Sequence, residues 1–147
     1  MAFTRILVPL DGTGRSASVV PYVIDVAKRF KSRVRLLAVQ TDADDLVHVP
    51  REERGAIGTS PHAGDVVALR RYLDIVAEQF REKGLEVDAD IRSGEPPAEI
   101  LSAAFEWRCD LIAMATRARG GIKRLVLGSV AEEVLRESRL PVLLVMA

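Results

Sequence analysis

The segment that decides the fold and the site runs from Met114 to Val130 and has the sequence Met-Ala-Thr-Arg-Ala-Arg-Gly-Gly-Ile-Lys-Arg-Leu-Val-Leu-Gly-Ser-Val. It follows the apolar run 110–114, which is typical of a buried strand, and its Gly128-Ser129 pair lies directly before the helical pattern 130–138. Small residues let the backbone approach a ligand closely, and a helix start offers unpaired N–H groups and the positive end of the helix dipole. A strand, a small-residue loop and Gly-Ser at a helix start therefore predict a turn that can hold a phosphate.

The same loop carries four basic residues with no acidic residue between them: Arg117, Arg119, Lys123 and Arg124. This local excess suits an anion, because the 21 basic and 21 acidic residues of the whole chain balance. A solvated basic loop is the alternative, and Ser129 followed by Glu132 forms a capping-box pattern that needs no ligand. The P-loop pattern is absent, since Lys123 follows Gly121 by two and no hydroxyl residue comes after it. Kinase or GTPase chemistry of that type is not predicted.

Length and composition predict one soluble globular domain over residues 1–147, with 48% apolar and 29% charged residues. The balanced charge argues against a general nucleic-acid surface. No apolar run approaches the roughly 20 residues that span a bilayer, and the first strand follows Met1 so closely that no signal peptide is expected. The single Cys109 has no internal disulfide partner and is expected to be a small buried residue. We therefore expect a cytoplasmic protein without membrane or nucleic-acid partners.

Apolar patterning divides the chain into alternating strands and helices. Continuous apolar runs predict strands at residues 6–10, 34–39, 111–115 and 140–146. Strict alternation at 86–92 predicts an edge strand with one solvated face. Helical spacing predicts helices at about 16–30, 66–83, 98–107 and 130–138. Residues 41–61 show no period and are expected to form a long loop.

Two details of the predicted helices are open to test. Ser16 is the expected cap of the first helix, but Pro21 requires that this helix either begins nearer Val19 or bends there. Val66 is expected on the buried face of the second helix. The buried face as a whole is expected to comprise Val66, Leu69, Leu73, Val76 and Phe80.

Alternating strands and helices imply an α/β fold with an open five-stranded parallel sheet and helices on both faces. If the alternating third strand is one edge and the last strand the other, the strand order is 3-2-1-4-5. Ligands of such sheets bind outside the carboxyl ends of the strands, where the strand order reverses. The reversal then lies between the first and fourth strands, so the turn Asp11-Gly-Thr-Gly14 and the Met114–Val130 loop meet at one crevice.

Taken together, these motifs resemble the universal stress protein family. The resemblance rests on the Met114–Val130 loop and on four further segments: Ile6-Leu-Val-Pro-Leu-Asp-Gly12, Leu36-Leu-Ala-Val39, Gly94-Glu-Pro-Pro-Ala-Glu-Ile100 and Leu140-Pro-Val-Leu-Leu-Val145. It implies a Rossmann-like fold of the adenine nucleotide alpha hydrolase type. One branch of the family binds ATP through Gly-x-x-Gly, nine residues and Gly-Ser/Thr. In this chain Ala115 and Ala118 occupy the first two glycine positions, and Gly128-Ser129 matches.

The resemblance assigns nucleotide binding to Pro9, Leu10, Asp11, Val39, Met114, Ala115, Arg117, Ala118, Arg119, Gly120, Gly128, Ser129 and Val130. The residues up to Val39 would hold the adenine and ribose, and the last three would hold the phosphates at the helix start. Ala115 is expected to be tolerated at a strand end. If position 118 needs a left-handed backbone, alanine there costs roughly 1–2 kcal/mol, or about tenfold in affinity.

The function expected from this resemblance is an ATP-binding regulatory protein with Mg²⁺ beside the phosphates, acting as a sensor or switch. A nucleotide-free interaction protein and a slow ATPase are the alternatives. No catalytic residue is assigned, since the sequence offers no Ser/His/acid set and no paired carboxylates near the loop. Asp11 is placed to meet a metal or water, although capping the turn after the first strand explains it equally well. The resemblance also implies a homodimer through the edge strand 142–145, and the protein partner is unknown.

Overall fold

A computed structural model describes residues 2–41, 66–117 and 127–147. Its strands are β1 (Arg5–Pro9), β2 (Arg33–Gln40), β3 (Val87–Ser93), β4 (Leu111–Thr116) and β5 (Val142–Met146). Its helices are α1 (Val20–Phe30), α2 (Val66–Arg81), α3 (Pro96–Trp107) and α4 (Ser129–Glu137), and a 3₁₀ turn (Ser16–Val19) precedes α1. Most of the predicted loop 41–61 lies outside the described residues.

The five strands form one all-parallel sheet in the order β3-β2-β1-β4-β5, which confirms the predicted fold. β1 pairs with β2 along its whole length, from Arg5 to Pro9. Its pairing with β4 ends at Leu7, which lies opposite Ile112. Because β1 and β4 do not pair with each other beyond this point, a crevice opens between their carboxyl ends, where the strand order reverses.

Helices cover both faces of the sheet. On one face, α2 packs against β2 and β3, and buried residues of α1 and α2 such as Val23 and Phe80 belong to one core cluster. On the other face, α3 packs against β2 and α4 packs against β4, with Ile100 and Val134 in a second core cluster. The central strands are buried on both faces, and this explains why their sequences are continuous apolar runs.

The first helix begins later than its predicted cap. α1 starts at Val20 with Pro21 in its first turn, and its N-cap Val19 makes no side-chain cap hydrogen bond. Proline is well tolerated there because the N–H groups of the first turn have no intrahelical partner. The prediction of Ser16 as the cap is wrong, since Ser16 lies in the 3₁₀ turn before the helix.

α2 buries four of its predicted core residues, which are Leu69, Leu73, Val76 and Phe80. The prediction for Val66 is wrong, because its side chain is 44% exposed. Val66 begins the helix, and the first turn extends beyond the cluster that buries the later turns. None of the helices within the described ranges is both long enough and apolar enough to cross a membrane.

Two other predictions concern edges and the cysteine. β3 pairs with β2 alone in the described sheet, and its Val87, Ala89 and Ile91 pack against the core, as expected for an edge strand. Cys109 is buried, and this burial raises the pKa of its thiol to about 11. The thiol is therefore protonated at neutral pH, which fits a packing role.

Candidate functional site

A cavity of about 520 Å³ lies in the crevice between β1 and β4. This volume is within the usual range for small-molecule sites. The cavity is lined by every predicted site residue that falls in the described ranges: Pro9, Leu10, Asp11, Val39, Met114, Ala115, Arg117, Gly128, Ser129 and Val130. The remaining predicted residues, Ala118, Arg119 and Gly120, lie outside the described residues. Three strands and the start of α4 thus converge on one concave site.

The loop after β1 forms one wall of the cavity and is held by its own polar groups. The Oδ1 atom of Asp11 accepts hydrogen bonds from the backbone N–H of Thr13 at 2.9 Å and from its hydroxyl at 2.5 Å. Gly12 between them has a φ of 88°, which glycine adopts without strain. The Oγ atom of Ser16 accepts the N–H of Asp11 at 3.2 Å and donates to the Thr13 carbonyl at 3.0 Å. Asp11 therefore stabilises the turn after β1, as expected if it caps that turn.

Asp11 has a second carboxylate oxygen, Oδ2, that accepts no hydrogen bond from the described part of the chain. Asp11 is exposed, and it is the single acidic residue among the described residues that line the cavity. One carboxylate oxygen is therefore available to a cation or a hydroxyl group. Within the described ranges, no group of three His, Cys, Asp or Glu residues is arranged to hold a metal ion by itself.

The opposite wall is formed by the end of β4 and the start of α4. The hydroxyl of Thr116 accepts the backbone N–H of Gly128 at 3.0 Å, and the Thr116 carbonyl accepts the N–H of Ala147 at 2.9 Å. Gly128 is the N-cap of α4, and no side chain makes a cap hydrogen bond there. The capping box of Ser129 and Glu132, the alternative to a phosphate site, is therefore wrong. Ser129 is already inside the helix, and the first helical bond joins the Glu132 N–H to the Gly128 carbonyl.

Ala115, the first of the two alanines at the family's glycine positions, is the last but one residue of β4 and pairs with Val145 of β5. Among the described non-glycine residues, positive φ values occur at Lys31 and Arg108 alone. Ala115 thus has ordinary strand geometry, and its methyl group causes no backbone strain.

The lining differs in chemistry from one side to the other. The contributions of β2 and α3 are wholly apolar and consist of Leu37, Val39, Pro96 and Ile100. The loop after β1, the end of β4 and the start of α4 contribute charged or hydroxyl-bearing residues, namely Asp11, Arg15, Ser16, Thr116, Arg117 and Ser129. A ligand with a flat apolar ring and a polar, anionic tail matches this distribution.

Sequence reasoning missed several lining residues, which are Arg15, Ser16, Leu37, Pro96, Ile100, Thr116, Leu127 and Ala131. Thr116 could have been found, because it is the one hydroxyl residue at the carboxyl end of a predicted central strand. Pro96 and Ile100 carry no such signal, since their place depends on how α3 packs across the end of β2.

A sequence model described as the universal stress protein family matches residues 2–146 of this chain. The chain belongs to the universal stress protein family. A universal stress protein of Methanocaldococcus jannaschii is 29% identical and aligns with 97% of this chain and 82% of its own length. The family assignment made from the motifs is thereby confirmed.

Solved universal stress protein structures share the fold. The Archaeoglobus fulgidus protein in complex with dAMP has a TM-score of 0.68 at 19% identity, and the match covers 98% of each chain. A universal stress protein in complex with cAMP has a TM-score of 0.69 at 17% identity, covering 99% of this chain and 98% of the other. At these identities, the likeness establishes a common architecture.

Proposed function

We propose that this universal stress protein binds an adenine nucleotide, with ATP as the occupant, and acts as a regulatory sensor or switch in the cytoplasm. The observation that carries the proposal is the cavity at the β1–β4 crevice, which is lined by all the assigned residues that the structure describes. The complexes of related folds with dAMP and cAMP support an adenine-containing ligand.

The two sides of the cavity suggest how the nucleotide is oriented. The apolar side made by Leu37, Val39, Pro96 and Ile100 suits the adenine ring. On the polar side, the uncapped first turn of α4 directs backbone N–H groups and the positive end of its dipole at an anion. The phosphates would therefore lie against Gly128, Ser129 and Val130, with the ribose near Asp11.

The donor set also fits Mg²⁺ bound together with the phosphates. Mg²⁺ is usually held by one or two carboxylates together with substrate phosphates and water. The Oδ2 atom of Asp11 is a suitable single carboxylate ligand, because Oδ1 is already engaged by Thr13. The ion would neutralise phosphate charge at this wall of the cavity.

Efficient turnover is not part of this proposal. Within the described lining, Asp11 is the sole carboxylate and no histidine or cysteine is present. The Ser16 hydroxyl is engaged in the loop and has no base beside it among these residues. We therefore expect ATP hydrolysis well below about 1 per second, a rate typical of enzymes.

The decisive test is to denature the freshly purified protein, identify any released nucleotide by chromatography, and titrate the nucleotide-free protein with ATP by calorimetry. Bound adenine nucleotide, or an affinity that strengthens in an Ala118→Gly variant, supports the proposal. If neither the native chain nor the variant binds ATP at millimolar concentration, the nucleotide-free alternative holds and the search moves to protein partners.

A further inference from the structure

A tyrosine from α2 reaches the loop that forms one wall of the cavity. The Tyr72 hydroxyl donates to the carbonyl of Thr13 at 2.8 Å and lies 3.1 Å from the Oγ atom of Ser16. Tyr72 is 56 and 59 positions away from these partners in sequence and is not itself a lining residue. Tyr72 therefore affects the site through its contacts with the loop and not by lining the cavity.

The contacts connect Tyr72 to two residues that do line the cavity. Ser16 lines it directly, and its Oγ accepts the backbone N–H of Asp11 at 3.2 Å. Asp11 in turn accepts both polar hydrogens of Thr13, whose carbonyl is the acceptor for Tyr72. The result is a closed set of hydrogen bonds in which one member comes from a different helix.

The hydroxyl and the ring of Tyr72 have separable roles. The ring packs against the core beside the α1 and α2 residues, as any large apolar side chain would. The hydroxyl is held in a partly buried position, and burial raises its pKa to about 12. It therefore keeps its proton across the physiological pH range and can donate a hydrogen bond. A phenylalanine would fill the same space and lose only the bonds to the loop.

Resting on the nucleotide-binding function proposed above, we propose that Tyr72 is a positioning residue that preorganises the 11–16 loop for the ligand. A loop that is already ordered in the bound geometry loses less conformational freedom on binding, and this increases affinity without any new contact to the ligand. α2 thereby contributes to a site that it does not touch.

The test compares Tyr72→Phe with a matched Tyr22→Phe control, since Tyr22 lies on α1 with its side chain 55% exposed. ATP affinity is measured by calorimetry, and hydrogen exchange of the peptide covering 11–16 is followed by mass spectrometry in the free protein. Losing one net hydrogen bond predicts an affinity about three- to tenfold lower for Tyr72→Phe, with faster exchange of the loop. Tyr22→Phe should match the native chain in both measurements.

Ser16→Ala supplies a second route to the same result, should Tyr72→Phe fold poorly. It removes the other hydroxyl that bonds to Thr13, and it should also weaken binding and speed exchange of the loop. Combined with Tyr72→Phe, it should cost less than the product of the two single effects, because both act on one carbonyl.

The native chain serves as the reference that separates the two proposals. If native protein binds ATP and Tyr72→Phe binds it equally well, the positioning role is overturned while the nucleotide site stands. If native protein does not bind ATP, the proposed function fails first, and the positioning proposal fails with it.

Discussion

The hydroxyl of Thr116 accepts the backbone N–H of Gly128 at 3.0 Å, and this bond ties the start of α4 to the end of β4. Thr116 is 5% exposed whereas Gly128 lies at an exposed position, so the bond is partly buried. The two residues are 12 positions apart and lie on either side of the loop that carries four basic residues and no acidic one. Their bond places the first turn of α4 against the cavity.

Replacing Thr116 with valine keeps the shape of the side chain and removes the acceptor for the Gly128 N–H. We expect the free energy of unfolding to fall by about 0.5–1.5 kcal/mol, the usual net contribution of one hydrogen bond. ATP affinity should fall more than adenosine affinity, because α4 is the proposed phosphate site. Thr116→Ser retains the oxygen and should restore both properties. Equal losses for ATP and adenosine would contradict this placement of the phosphates.

Gly128→Ala tests how closely the helix start approaches β4. The φ of Gly128 is −61°, so alanine adds no backbone strain, but its Cβ would lie 3.3 Å from the Thr116 hydroxyl oxygen. We expect weaker ATP binding by calorimetry, as the first turn shifts by a few tenths of an ångström. Adenosine affinity is the control measurement, because adenosine lacks the phosphates that the start of α4 is proposed to hold. An equal loss for ATP and adenosine would show that the effect is not local to α4.

Asp110 should make the stability of the fold depend on acid pH. Burial alone would raise the pKa of its carboxyl group, but hydrogen bonds from the N–H and hydroxyl of Thr4 and from the N–H of Arg5 outweigh burial and hold it below its usual value. Because the pKa is lower in the folded state, this stabilisation is fully present above the unfolded-state pKa of about 3.9. It is lost as the pH falls through the folded-state value.

Asp110→Asn should therefore lower the free energy of unfolding at pH 7 by about 1 kcal/mol or less, because solvent screens these partly exposed bonds, and flatten its decline below about pH 4. Denaturant titrations from pH 3 to pH 7 measure both effects. Asp25→Asn, at an exposed position of α1, is the control and should leave the pH profile unchanged. If Asp110→Asn loses stability at acid pH as steeply as the native chain does, the Asp110 carboxyl group is not the cause of that loss.

The edge of β5 that pairs with no other described strand offers a test of the proposed homodimer. The Pro141 carbonyl accepts the N–H of Ile112 in β4, and the Ala147 N–H donates to the carbonyl of Thr116 in β4. Bonding to one neighbour recurs at every second residue of a parallel strand. Leu144 therefore directs its N–H away from β4, towards the open edge. Leu144→Pro should give monomers by light scattering, because it removes a donor needed by a second copy.

Leu144→Ala is the matched control for that substitution, since it loses the same side-chain packing and retains the N–H. It should remain dimeric. Two dimeric variants would indicate an interface elsewhere on the protein.

The sequence by itself predicted the strand order, the edge strands and the crevice. Hydrophobic periodicity is a local property that marks which strands are buried on one face or on two, as in the alternating β3 and the continuous β1. Right-handed parallel connections then leave few arrangements, and the carboxyl ends of β1 and β4 must meet. This is why Asp11 and Gly128 could be placed at one site without coordinates.

Tertiary structure alone decided how that site is held. The bonds from Tyr72 to Thr13 and from Gly128 to Thr116 join residues whose pairing has no periodic signal, because each depends on the exact packing of separate elements. Local sequence patterns indicated the wrong N-cap at two helix starts, where Ser16 and Ser129 both resembled caps. Each serine lies one or more residues away from the observed cap, since helix boundaries depend on competing bonds to the rest of the fold and not on the local sequence alone.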